Sequence, residues 1–165
     1  MSPTRHGLRH VGLLTLAALL AAAAPARAQT TVQDPWVRAT VGQQKASGAF
    51  MQLQSARGGK LVSASSPVAG VVEIHEMAMD GQVMRMRAVA ALELPAGQPV
   101  ALRPGGYHVM LMDLKKPLSP GDTVALTLVV ETAGQRENVE VKAVVRPLGA
   151  QAQAGGGHAG HGHKP

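Results

Sequence analysis

Apolar and polar residues alternate with a period of two over most of the chain. The run "NVEVKAVV" (138–145) places Val139, Val141, Ala143 and Val145 on one face, and Asn138, Glu140, Lys142 and Val144 on the other. That is the pattern of a half-buried strand. Similar short runs, separated by Gly, Pro, Asn and Asp, predict strands at 36–40, 48–54, 60–65, 70–79, 82–87, 99–104, 107–112 and 123–131. Helical periodicity is nearly absent after residue 28. Many short strands at close spacing predict an all-β domain, a sandwich or a Greek-key barrel. From about Pro147 the alternation ends in "LGAQAQAGGGHAGHGHKP", a low-complexity, flexible tail.

The N-terminus follows a different pattern. Arg5 and Arg9 precede the apolar run "VGLLTLAALLAAAAP", and "ARA" then ends at Ala28 with small residues at −3 and −1. This predicts a secretory signal peptide over 1–28, cleaved after Ala28, and therefore an exported protein. An uncleaved anchor is the alternative, but the run is short for a spanning helix, and no other stretch is long and apolar enough to cross a membrane. The domain proper is then 29–147, with 148–165 as the tail. Removing Arg5, Arg9 and Arg27 leaves 13 basic residues against 10 acidic ones, so much of the formal charge of +6 belongs to the leader. With one Trp, one Tyr, one Phe and no basic run, the chain lacks the stacking and charge pattern of a nucleic-acid binder. There is no cysteine. This excludes a thiol nucleophile, iron–sulfur ligation and a c-type haem motif, and leaves His, Met and carboxylates as metal ligands.

The chemistry concentrates in two segments. In "GGYHVMLMDL" (105–114), Tyr107, Val109 and Leu111 share one strand face, while His108, Met110 and Met112 share the other. In "EIHEMAMDGQVMRMR" (73–87), Asp80-Gly81 separates two alternating runs and predicts a hairpin loop. With Asp80 and Gly81 as the loop, His75 opposes Met86, Met77 opposes Met84 and Glu76 opposes Arg85. One face then carries His75, Met77, Met79, Met84 and Met86. Opposed side chains lie about 5 Å apart at Cβ, so His75 and Met86 could reach one ion. A methionine stripe also fills cores, and packing remains the alternative for Met77, Met79, Met84 and Met112 taken singly. Two imidazoles and two thioethers form a soft, uncharged set that suits Cu(I). Zinc gains little from thioether, and calcium and magnesium want oxygen.

The spacing His75-x10-Met86-x21-His108-x-Met110 matches the H-x10-M-x21-H-x-M signature, and on it the chain resembles the periplasmic copper chaperones called PCu(A)C. "DPWVRAT", "SGAFMQL", "VEIHEMAMDGQVMRMR", "LRPGGYHVMLMDLKKPL" and "GDTVALTL" carry the likeness over roughly residues 33–132. The resemblance implies a cupredoxin-like β-barrel with a Cu(I) site of His75, Met86, His108 and Met110 near the surface. It also implies copper delivery to the CuA centre of cytochrome c oxidase or to an assembly factor. Members of that family often carry Met directly after the first His. Here that place is Glu76, with Met77 one further on, a candidate outer or transient ligand. His158, His161 and His163 in the tail are a candidate secondary site for Cu(II), which takes nitrogen and oxygen donors. Trp36 and Arg38 are also family-like, and the Trp is expected in the core. A carrier breaks no bond and is not an enzyme. The other readings are copper buffering or resistance without a dedicated recipient, an electron-transfer cupredoxin, weakened by the missing cysteine, and a structural β-domain. Because His must be neutral to bind, Cu(I) affinity is expected to fall below about pH 6.

Overall fold

A computed structural model describes residues 29–149. The leader and the histidines at 158, 161 and 163 lie outside the described residues. The ten strands are β1 (Thr30–Arg38), β2 (Ala46–Ser55), β3 (Gly59–Ser65), β4 (Ala69–Asp80), β5 (Val83–Ala88), β6 (Leu92–Leu94), β7 (Pro99–Leu102), β8 (His108–Leu114), β9 (Thr123–Thr132) and β10 (Gln135–Arg146). Each of the nine expected strands is present. The tenth, β6, was not predicted.

The strands hydrogen-bond in the order β5-β4-β8-β2-β1-β10-β9-β3-β6, and β7 also pairs with β2. All pairs are antiparallel except β1 with β10. The pairing of β4 with β8 and of β1 with β10 joins strands far apart in sequence, as Greek-key connections do. The sheet curls so that β3 meets β4, but it does not close into a barrel. Its inner face holds the main core, with Leu53, Leu61, Val109, Leu111, Val124 and Leu128 fully buried. Burying each such side chain contributes about 1.5–3 kcal/mol.

A bulge in β1 prepares the outer face. The β1–β2 register shifts between Gln33 and Trp36, where Asp34 adopts φ 47° ahead of Pro35. An inserted residue reverses the alternation that follows it. Val37 thus faces the main core, opposite Ala49, and Trp36 turns to the other face, opposite Phe50. Trp36 is fully buried there, 4.4 Å from the Phe50 ring and capped by the Arg146 guanidinium at 5.5 Å. Arg146 is in turn paired with Asp34. Trp36 is therefore buried in the core, as expected, but outside the main cluster. It builds a separate aromatic layer on the opposite face.

Candidate metal centre

Strands β5, β4 and β8 carry every histidine and thioether singled out in the described chain. The β4–β5 register differs from the expected one. His75 pairs with Ala88, Glu76 with Arg87, Met77 with Met86, Met79 with Met84 and Asp80 with Val83. The loop is Gly81-Gln82, not Asp80-Gly81. Gly81 has φ 65°, while neither Asp80 nor Gln82 has positive φ. This is a II′-type hairpin, which needs glycine at its first central position. The alternative would force Asp80 to positive φ. The slip also forms the Glu76–Arg87 ion pair at 2.6 Å, with Arg85 turning to Asp80 at 2.8 Å. Each residue moves past its partner by two positions, so the faces are unchanged although the expected opposition of His75 and Met86 is wrong.

On its other edge β4 pairs with β8, placing His75 beside His108 and Glu73 beside Met110. The two imidazole centroids lie 5.8 Å apart. Met86 reaches across β4 to bring Sδ within 3.2 Å of His108 Nε2. Met77, Met86, His108 and Met110 line one hollow of about 270 Å³, together with Phe50 and Gly105. His75 stands next to this hollow rather than in its wall. Met112 lies one position along the same face of β8, opposite Val71.

Each imidazole is oriented by a hydrogen bond. "RPGG" forms a tight turn in which Gly106 N–H donates to Arg103 carbonyl oxygen at 3.0 Å. Pro104 suits its second position, and Gly105, at φ 80°, its third. The turn aims the Gly106 carbonyl at His108 Nδ1, 3.0 Å away. A carbonyl only accepts, so Nδ1 carries the proton and Nε2 is the lone-pair nitrogen facing sulfur. Burial pushes the His108 pKa down, against the raising effect of the Gly106 hydrogen bond, and His75 and Arg38 lower it further. The ring is thereby favoured in its neutral form. His75 Nε2 lies 2.8 Å from Glu73 Oε2. With the carboxylate accepting, Nδ1 of the neutral ring keeps its lone pair, and that atom is buried with no hydrogen-bond partner.

The support beneath His108 was not foreseen. The Phe50 ring lies 6.1 Å from it, with the Arg38 guanidinium 5.4 Å from Phe50 on the same face. At Gly48 a Cβ would come within 2.8 Å of the Phe50 ring, so only glycine lets the ring lie there. Glu73 was also missed, although its place two residues from His75 on one strand face is a signal that could have found it. The Arg38 contact depends on the β1 bulge, which the alternation does not announce, and the Phe50 contact depends on the pairing of β2 with β8. Among the described residues, no three of His, Asp and Glu are grouped to hold a metal ion, so an ion at this hollow would need its thioethers as well as imidazole.

The LpqE-like family model matches residues 30–145. Lxx21020 of Leifsonia xyli subsp. xyli, whose name describes a lipoprotein, is 34% identical over 115 residues, 63% of this chain and 68% of that protein. RP573 of Rickettsia prowazekii is 33% identical over 124 residues, 71% of this chain and 68% of that protein. Among solved structures, the apo PCuAC domain of PmoF1 superposes with a TM-score of 0.60 at 30% identity, covering 73% of this chain and 95% of that domain. The CuI form of DR1885 from Deinococcus radiodurans gives 0.57 at 34%, covering 71% and 78%. The copper-bound PCuAC domain of PmoF2 gives 0.59 at 26%, covering 73% and 94%. Bulged, open and all-β, with two neighbouring imidazoles beside a hollow lined by thioethers, this chain has the cupredoxin-like fold of those domains and belongs to the LpqE-like, PCu(A)C family.

Proposed function

We propose that the chain is a periplasmic copper chaperone that carries Cu(I) between His75, Met86, His108 and Met110 and passes it to the CuA centre of cytochrome c oxidase or to an assembly factor. One observation carries this reading. His108 Nε2 and Met86 Sδ, both lone-pair atoms, face each other at 3.2 Å with the imidazole proton committed elsewhere. Two Lewis bases held this way are completed by a cation. A tetrahedral ion with bonds of about 2.0 Å to nitrogen and about 2.3 Å to sulfur would hold them about 3.5 Å apart. The buried, partnerless Nδ1 of His75 supports it as the second nitrogen donor. Met110, on the wall of the same hollow, supplies the second thioether. Met77 also lines the hollow and is placed to act as a transient ligand.

Copper is cargo here, and its transfer needs no bond made or broken in an organic substrate, so the protein is not an enzyme. The donors are neutral, and neutral imidazole and thioether favour a soft monovalent ion. Met86 is half exposed, so an incoming donor can replace it first and the metal can leave by stepwise exchange. Residues 29–147 form the copper-carrying domain. Residues 1–28 act as a cleaved signal, and His158, His161 and His163 in the tail offer Cu(II) a separate set of donors. Kinship with proteins solved in copper-bound form supports the cargo.

Anaerobic Cu(I) titration against a competing chelator tests the site. The reading expects one tight equivalent per chain, weakened in His108→Ala and in Met110→Ala, and undiminished binding in both variants refutes it. Deletion in the native host separates delivery from buffering. Lost oxidase activity supports delivery, whereas copper sensitivity with normal oxidase replaces it with buffering.

A further inference from the structure

Hairpin β4–β5 carries more sulfur than the hollow uses. Met77 opposes Met86, and one step outward Met79 opposes Met84. The Met77 N–H donates to Gly106 carbonyl oxygen at 3.3 Å, toward β8 and away from β5. Met77–Met86 is therefore a pair whose backbones exchange no hydrogen bonds, and alternation makes Met79–Met84 another. Such pairs are the narrow ones, with Cα atoms about 4.5 Å apart and side chains close. Glu76–Arg87 and Asp80–Arg85 occupy the other face of the hairpin as ion pairs. One face is thus charged and the other is all thioether along both rungs.

Packing does not account for the outer rung. Met79 is 61% exposed and Met84 47%. Met is a gap-filler, and there is no gap here to fill. We propose that Met79 and Met84, joined by Met77 of the inner rung, form a second soft-metal site that takes Cu(I) or Ag(I) at the hairpin. It shares none of the four donors assigned above. Neutral and solvent-exposed, it exchanges quickly, and its position makes it an outer station on a thioether track leading to the hollow.

The test uses the full chain labelled with ¹³C at the methionine methyls and titrated with Ag(I), a soft monovalent ion. The ε-methyl signals of Met79 and Met84 should move together and saturate, with Met77 following, while Met51 in the main core stays fixed. Met79→Leu keeps the apolar surface and removes the sulfur, and should abolish most of the Met84 shift. Unmoved Met79 and Met84 signals in excess Ag(I), or a full Met84 shift in Met79→Leu, would overturn the proposal. If Met79 and Met84 respond while Met86 and Met110 do not, the hairpin site stands and the reading of the hollow fails.

Discussion

His108 and His75 are set up by different acceptors, a backbone carbonyl and a carboxylate, and so offer different ring nitrogens. Burial, the leading cause, depresses the His108 pKa. In the apo protein this ring should titrate below its ordinary value of 6.5, read by NMR from its ring protons. A value at or above 6.5 would contradict the burial argument. The sign for stability follows. Between the folded and unfolded pKa values the unfolded chain holds the extra proton, so His108 makes the apo fold less stable as pH falls below about 6.5. Proton competition at His108 likewise sets in at lower pH than for free imidazole. Glu73 acts one atom further out. Glu73→Ala should weaken Cu(I) binding by about 10-fold through loss of the His75 orientation, and a chelator competition showing no change would remove that role.

At the scale of elements, two short features hold the geometry. Gly105 at φ 80° closes the turn that aims the Gly106 carbonyl. Gly105→Ala should cost about 1–3 kcal/mol in urea unfolding and weaken metal binding along with it. Gly48→Ala should displace Phe50 and shift the His108 ring signals. An unmoved His108 would show that Phe50 does not support it. The alternating runs made nine strands and both sulfur-bearing faces legible. They left out β6, because Leu92–Leu94 offers only one alternation beside Pro95. They also missed the hairpin register, since alternation fixes which face a residue takes but not which partner it meets. Asp-Gly suggested one loop, and the conformation of Asp80 together with the Glu76–Arg87 pair selects another.

Across the whole molecule, the inner face of the sheet provides the main core, and part of the outer face carries the candidate metal centre. The bulge at Asp34–Pro35 couples the two by sending Val37 inward and Trp36 outward. Trp36→Ala should destabilise the fold by about 3–5 kcal/mol and also loosen Phe50 beneath His108. Thermal unfolding with and without Cu(I) would show both losses. The four-residue spacing singled out the candidate donors as a set, but the long-range pairing of β4 with β8 decides their arrangement, with His75 against His108 instead of Met86. The most direct test of the central claim is copper-edge X-ray absorption on the full chain loaded with one equivalent of Cu(I). The account predicts a mixed shell of two nitrogens and two sulfurs that loses sulfur in Met86→Ala. A shell of nitrogen and oxygen alone, or one unchanged by that substitution, would contradict it.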